Sequence, residues 1–328
     1  MSWCSEKRYW PVDLESVKMF KFQKEQEIVN IAGVKIGGQP GELPTVLAGT
    51  IFYDKHEIVE DAARGLFDRT AAEELINLQE ASAEETGNPH IIHIFGTTPE
   101  SIIRYIDFVA EISDAPFLID SPEGIVRSHA AEYVSEIGLA DKAIYNSINL
   151  SINAPEIEAL ALSDIDSSII LGFNAMDSSL QGRMELLENG AGLLEEGLLS
   201  IAEKCGIVNK LIDPSITPMG NGAGVALRMT ITSKAKWGHP TGSGIHNAPS
   251  AWNWLNEKRE KDPVLYKICD VGSTCLQQAA AGDFILYGPI EYAKYIFPMA
   301  AMSDIMISEA VADLDIEPAT RHPVNLLV

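Results

Sequence analysis

The chain has 328 residues, is 46% hydrophobic, and carries 47 acidic against 24 basic residues for a formal charge of −23. So acidic a surface repels a phosphate backbone, which argues against nucleic acid as a partner and fits a cytoplasmic protein. Cys4, Cys205, Cys269 and Cys275 form no CxxC pair and accompany no histidine cluster. A bound metal and a disulfide framework are therefore not expected.

In chain order, residues 1–18 differ in character from the rest of the chain and read as an N-terminal extension. Residues 20–40 alternate around Ala32-Gly33 in the manner of a β-hairpin. Eight apolar runs come next, at 45–53, 90–96, 115–121, 142–148, 167–174, 210–215, 241–247 and 283–289. Several are apolar at consecutive positions, as strands buried on both faces must be. Helical patterns lie between them, at 69–86, 99–112, 123–138, 179–205, 222–236, 249–259, 273–281 and 291–312. The most apolar of these stretches, YIFPMAAMSDIMI, is interrupted by Pro298 and Asp304, so direct membrane insertion is not expected.

Eight strand–helix alternations without a break in composition predict an α/β protein, a single (β/α)8 TIM barrel over residues 19–313 with an N-terminal β-hairpin. Residues 314–328 form a C-terminal tail. The competing architecture is a doubly wound sheet, which wants a glycine-rich loop directly after its first strand. Here the glycines of GGQPGE precede that strand.

Five predicted strands finish on an acid or an amide: Asp120, Asn146, Asn174, Asp213 and Asn247. Each alone is an ordinary helix cap or turn residue. In a barrel, however, all five converge on the C-terminal mouth, where active sites sit. Two carboxylates and three amides suit a neutral heterocycle that offers N–H donors and a carbonyl. The seven histidines are scattered, and no Ser/His/Asp elbow is present. His90 and His93 point to opposite faces of their strand. Strand alternation likewise separates His246 from Asn247: with Asn247 in the mouth, His246 faces the helices as a structural residue. Trp252 and Trp254 read as core packing.

The segments APFLIDS, AIYNSIN, KLIDPS and GIHN resemble the strand ends of pterin-binding methyltransferase barrels, a group that includes, more distantly, dihydropteroate synthase. Longer stretches, among them AGVKIGGQPGELPTVLAGTIFY, FGTTPE, GFNAMD, WGHPTGSGIHNAPSAWNWL and GDFILYGPIE, are similar to the family of the H subunit of tetrahydromethanopterin S-methyltransferase. That resemblance covers nearly the whole chain after Met19. It implies transfer of a methyl group between N5 of a methylated tetrahydropterin, tetrahydromethanopterin first, and the Co(I) corrinoid (cobalamin) of a partner protein. Methyltetrahydrofolate with a soluble corrinoid protein is the alternative, and a non-catalytic pterin-binding or assembly subunit is a third reading. The resemblance implies that Asp120, Asn146 and Asp213 hold the pyrimidine ring, with Asn174 beside them, and that Asn247 is catalytic near N5. It also implies a homodimer, a corrinoid-bearing partner, and attachment to the other subunits of a membrane methyltransferase complex.

Overall fold

The computed structural model describes residues 20–328; the extension of residues 1–18 lies outside the described residues. The first elements are β1 (Ile28–Ile31) and β2 (Val34–Gly37), paired antiparallel across Ala32-Gly33. Both turn residues have positive φ, the geometry whose twist matches the flanking strands.

The barrel opens with β3 (Val46–Ile51). A small ribbon of β4 (Val59–Asp61) and β5 (Leu66–Phe67), not foreseen from the sequence, leads into α1 (Arg69–Thr86). Then come β6 (His90–Phe95), α2 (Pro99–Ile112), β7 (Phe117–Asp120), α3 (Gly124–Glu136), β8 (Ala143–Ile148) and α4 (Ala154–Leu162). The third quarter holds β9 (Ser167–Leu171), α5 (Leu180–Asn189), α6 (Leu198–Lys204), β10 (Asn209–Asp213) and α7 (Ala223–Lys236). The chain ends with β11 (Gly242–Ser243), α8 (Asn247–Ser250), α9 (Asn253–Arg259), α10 (Pro263–Ala279), β12 (Phe284–Pro289), α11 (Ala293–Ala310) and α12 (Pro323–Leu327).

Eight strands lie parallel in the order β10-β9-β8-β7-β6-β3-β12-β11. The ring closes between its two end strands through one parallel bridge, Ile212 to Thr241, where the Ile212 N–H donates to Pro240 C=O at 2.8 Å. The predicted (β/α)8 barrel with an N-terminal hairpin is the observed fold.

Strand alternation sorts the core into two. Ile92, Ile94, Phe117, Ile119, Ala143 and Ile170 face outward and pack beneath the helices. Ala48, Ile91, Leu118, Ile144, Ile169 and Leu211 face inward, forming one buried cluster with Val29, Ile31 and Ile36 of the hairpin. The hairpin thus plugs the N-terminal end of the barrel and leaves the C-terminal end to carry the opening.

Helix ends follow local chemistry. Asp68 caps α1 by accepting from the Thr70 and Ala71 N–H groups, and Gly87 stops it at φ +82°. The single helix expected over 179–205 is two, because Gly190 and Gly192 take positive φ between α5 and α6. The helix expected at 273–281 begins earlier, at Pro263, where Asp262 accepts from the Leu265 N–H. Helix α4, absent from the expected set, starts on the same kind of signal: Asn153 accepts from the Glu156 N–H.

Candidate active site at the barrel mouth

The inward positions two residues above the apolar layer are Thr50, His93, Asp120, Asn146, Leu171 and Asp213. Together with His246, Asn247 and Gly288 they line one cavity of about 600 Å³ at the C-terminal mouth. A second cavity of about 520 Å³ lies by the hairpin turn and His90, at the opposite end, and holds none of the five predicted site residues.

Asp120 and Asp213 end their strands and Asn146 lies within β8; Asp120 and Asn146 are half-buried and Asp213 is only 5% exposed. Burial pushes the Asp213 carboxyl up to about 7, against the pull of the Ser215 and Gly244 backbone N–H groups and the nearby Arg183 guanidinium. The Ser215 N–H donates to Asp213 Oδ1 at 2.7 Å. The Asp120 carboxylate meets His93 instead, with Oδ2 2.8 Å from Nε2.

Asn174 is not brought to the mouth. It stands three residues beyond the end of β9 and is 2% exposed. Its Nδ2 donates to Gly182 C=O, and its Oδ1 accepts from the Met176 and Asp177 N–H groups, each at 2.9 Å. Its amide braces a loop, as a local turn residue does.

The alternation assigned to His246 and Asn247 is corrected by the structure. Strand β11 ends at Ser243, four residues short of the expected Asn247, so period two does not reach either residue. A turn follows, and Asn247 opens α8 with its N–H donating to Gly244 C=O at 3.0 Å. Both side chains line the cavity. Asn247 is exposed, and its amide lies over Gly244, where a Cβ would stand 2.9 Å from Nδ2. The His246 ring lies on Gly288, where a Cβ would sit 2.6 Å from Nδ1. Gly288 also has φ +81°, so both backbone and space call for glycine there. Burial, with His93 adding to it, lowers the His246 imidazole to about 4 and keeps it neutral. Trp252 and Trp254, expected in the core, stack on each other with centroids 4.7 Å apart, and Trp254 is 47% exposed.

Sequence reading passed over four wall residues: Thr50, Tyr53, His93 and Arg127. Thr50 and His93 carried a usable signal, since they share strand parity with Ala48 and Ile91. Tyr53 donates to Glu291 Oε1 at 2.6 Å and stacks on His56 at 4.2 Å. Burial, then the Glu291 carboxylate, pushes the Tyr53 phenol well above its ordinary range. Arg127 gives the mouth a cation, but it is engaged: its guanidinium donates to Glu156 and to Ser121 C=O, and both charged partners are nearly fully buried. Among the described residues no group of three or more His, Cys, Asp or Glu is set to hold a metal. Among them, too, no helix is long and apolar enough to cross a membrane.

Fold and mouth together define a (β/α)8 barrel whose C-terminal end gathers carboxylates, amides and imidazoles around one cavity. The chain belongs to the tetrahydromethanopterin S-methyltransferase MtrH subunit family, whose model matches residues 24–319. It is 93% identical to the H subunit of a putative mtx methyltransferase from Methanosarcina barkeri (strain Fusaro), over 94% of this chain and all of that one. It is 54% identical to the H subunit of tetrahydromethanopterin S-methyltransferase from Methanothermobacter thermautotrophicus, over 93% of this chain and 98% of that one. Among solved structures, dihydropteroate synthase from Xanthomonas albilineans in complex with 7,8-dihydropteroate superposes with a TM-score of 0.52 at 16% identity, covering 87% of this chain and 98% of that one. The Yersinia pestis enzyme superposes at 0.56 with 10% identity, covering 85% and 99%. At such identity the likeness is one of fold.

Proposed function

We propose that this chain moves a methyl group between N5 of a methylated tetrahydropterin, tetrahydromethanopterin first, and the Co(I) corrinoid of a partner protein. Family membership supports the reaction class. The observation that carries the reading is the convergence of Asp120, Asn146, Asp213 and Asn247 on one cavity, large enough for a bicyclic heterocycle.

Asp120 and Asp213 accept from the adjacent N–H groups on the pyrimidine edge, a pairing a carboxylate matches with two oxygens. Bound N–H donors favour the ionised form of Asp213, so binding draws its carboxyl below its ligand-free value. Asn146 supplies an amide to the same edge. Asn247 stands at the more open side of the mouth and donates toward N5, where electron density grows as the bond to methyl breaks. Being neutral, it supports that nitrogen without competing as a nucleophile. The corrinoid, when its carrier docks, supplies the nucleophilic metal; this chain orients the pterin and stabilises the departing nitrogen. In the cell we place the protein as a peripheral member of a membrane methyltransferase complex, acting as a homodimer.

A spectral assay tests the reading. Purified protein, Co(I) cobalamin and either N5-methyl-tetrahydromethanopterin or N5-methyl-tetrahydrofolate are mixed and cobalt methylation is followed. Turnover with the first and little with the second is expected. Turnover with only the folate reassigns the substrate, and none with either refutes the reaction.

A further inference from the structure

The mouth contains a polar chain of which only the last member, Asp120, has a task in the proposed pterin binding. Thr50, His93 and Asp120 come from three adjacent barrel strands. Thr50 and His93 are direct cross-strand partners, and Asp120 pairs with Phe95, one inward step above His93. Thr50 Oγ1 lies 2.9 Å from His93 Nδ1, and His93 Nε2 lies 2.8 Å from Asp120 Oδ2. The His93 side chain is 8% exposed and that of Asp120 27%. Among the described residues no other side chain bonds to the Asp120 carboxylate.

With a neutral His93 ring this geometry has one self-consistent proton arrangement. A carboxylate only accepts, so the ring nitrogen facing Asp120 must carry a hydrogen. In the neutral ring Nδ1 is then an acceptor, and the Thr50 hydroxyl is placed to donate to it. Each group fixes the next: Thr50 sets the tautomer, the tautomer sets the ring, and the ring sets the carboxylate. Asp120 would otherwise turn about its side-chain torsions in an open mouth. Tied through Oδ2, it keeps Oδ1 and the remaining Oδ2 lone pairs free for a ligand.

We infer that His93 is a positioning residue, which with Thr50 fixes the rotamer of Asp120 so that its free oxygens meet an N–H edge of the bound heterocycle. This rests on the proposed pterin-binding role. A brace for the barrel alone is the competing explanation. It fits less well, because the chain runs to a half-exposed carboxylate at the cavity wall and not into the core.

Two measurements decide the matter. The first is binding of N5-methyl-tetrahydromethanopterin by calorimetry to wild type, His93→Ala, His93→Gln, Thr50→Val, Asp120→Ala and the His93→Ala/Asp120→Ala double variant. His93→Ala should weaken binding about tenfold, the usual size for a lost charge-assisted contact, and His93→Gln should hold within about threefold because its amide N–H reaches the same place. Thr50→Val should fall between. The double variant should bind no more weakly than Asp120→Ala, since His93 acts only through that carboxylate. Additive losses, or unchanged affinity in a folded His93→Ala, overturn the inference.

The second measurement needs no ligand: a long-range ¹H–¹⁵N spectrum of the imidazoles. His93 should be the Nε2–H tautomer, mixed in Thr50→Val. A His93 ring protonated on Nδ1 alone overturns the inference. Where the wild-type protein binds no tetrahydropterin, the pterin reading fails. An Nε2–H spectrum would then keep the positioning of Asp120 for a different ligand, and an Nδ1–H spectrum would remove it.

Discussion

Replacing Asp213 by asparagine should make folding stability less sensitive to rising pH. The carboxyl sits at about 7 in the folded chain against an ordinary 3.8, because burial penalises its charge. Between those values the folded chain holds a proton that the unfolded chain has released. Stability therefore falls as pH rises through that window and levels off above the folded value. A gap of about three pH units, at about 1.36 kcal/mol each, amounts to about 4 kcal/mol once both states are ionised. Roughly half of that develops between about pH 5.5 and about pH 8.5. Asparagine keeps the shape but does not titrate, so the difference between wild type and variant isolates this one group from the other acids. The variant also leaves the Gly244 N–H without its acceptor, which shifts the difference by an amount that does not change with pH. Urea denaturation of both proteins across that range, without ligand, should show the difference moving toward the variant by about 2 kcal/mol. A difference that stays flat means that the carboxyl ionises as an ordinary aspartate, and the account of the buried acid fails.

Gly288→Ala should cost about 1–3 kcal/mol of stability by urea denaturation, from a Cβ at positive φ and from its collision with the His246 ring. An unchanged denaturation midpoint would mean that the ring is not seated there. Asn247→Ala should slow single-turnover cobalt methylation about a hundredfold or more while leaving pterin affinity within about threefold, because its hydrogen bond strengthens as charge develops. A loss confined to affinity would make Asn247 a binding residue only.

The strands were legible because a barrel buries both of their faces, which leaves consecutive apolar residues such as Phe117-Leu118-Ile119 and Ile169-Ile170-Leu171. Asp120, Asn146 and Asp213 were legible because each lies on a regular strand, where strand periodicity reaches the mouth without interruption. Asn174 and His246 were misplaced for one physical reason: each lies beyond the true end of its strand. Leu171 and Ser243 are the last regular residues, and past them the turn, not the pleat, sets side-chain direction. Thr50 and His93 were passed over for the opposite reason. They obey strand parity fully, but neither sits at a strand terminus, where acids and amides draw attention. Arg127 is a helix residue whose charge reaches the wall only because Glu156 and Ser121 hold it there. The break between α5 and α6 depends on glycine backbone angles that helical periodicity alone does not register.

The closure of the barrel has a mechanical consequence. Seven of the eight strand junctions are ladders of two or more residue pairs, and the eighth is the single Ile212–Thr241 bridge. The ring is built like a split hoop whose gap stands between neighbours in sequence, not between the two chain ends. Asp213 rises from one lip of that gap, and His246 and Asn247 rise from the other. In the proposed binding mode a heterocycle held by both lips is a clasp across that seam, so the contacts that seat it also tie the two lips of the hoop together.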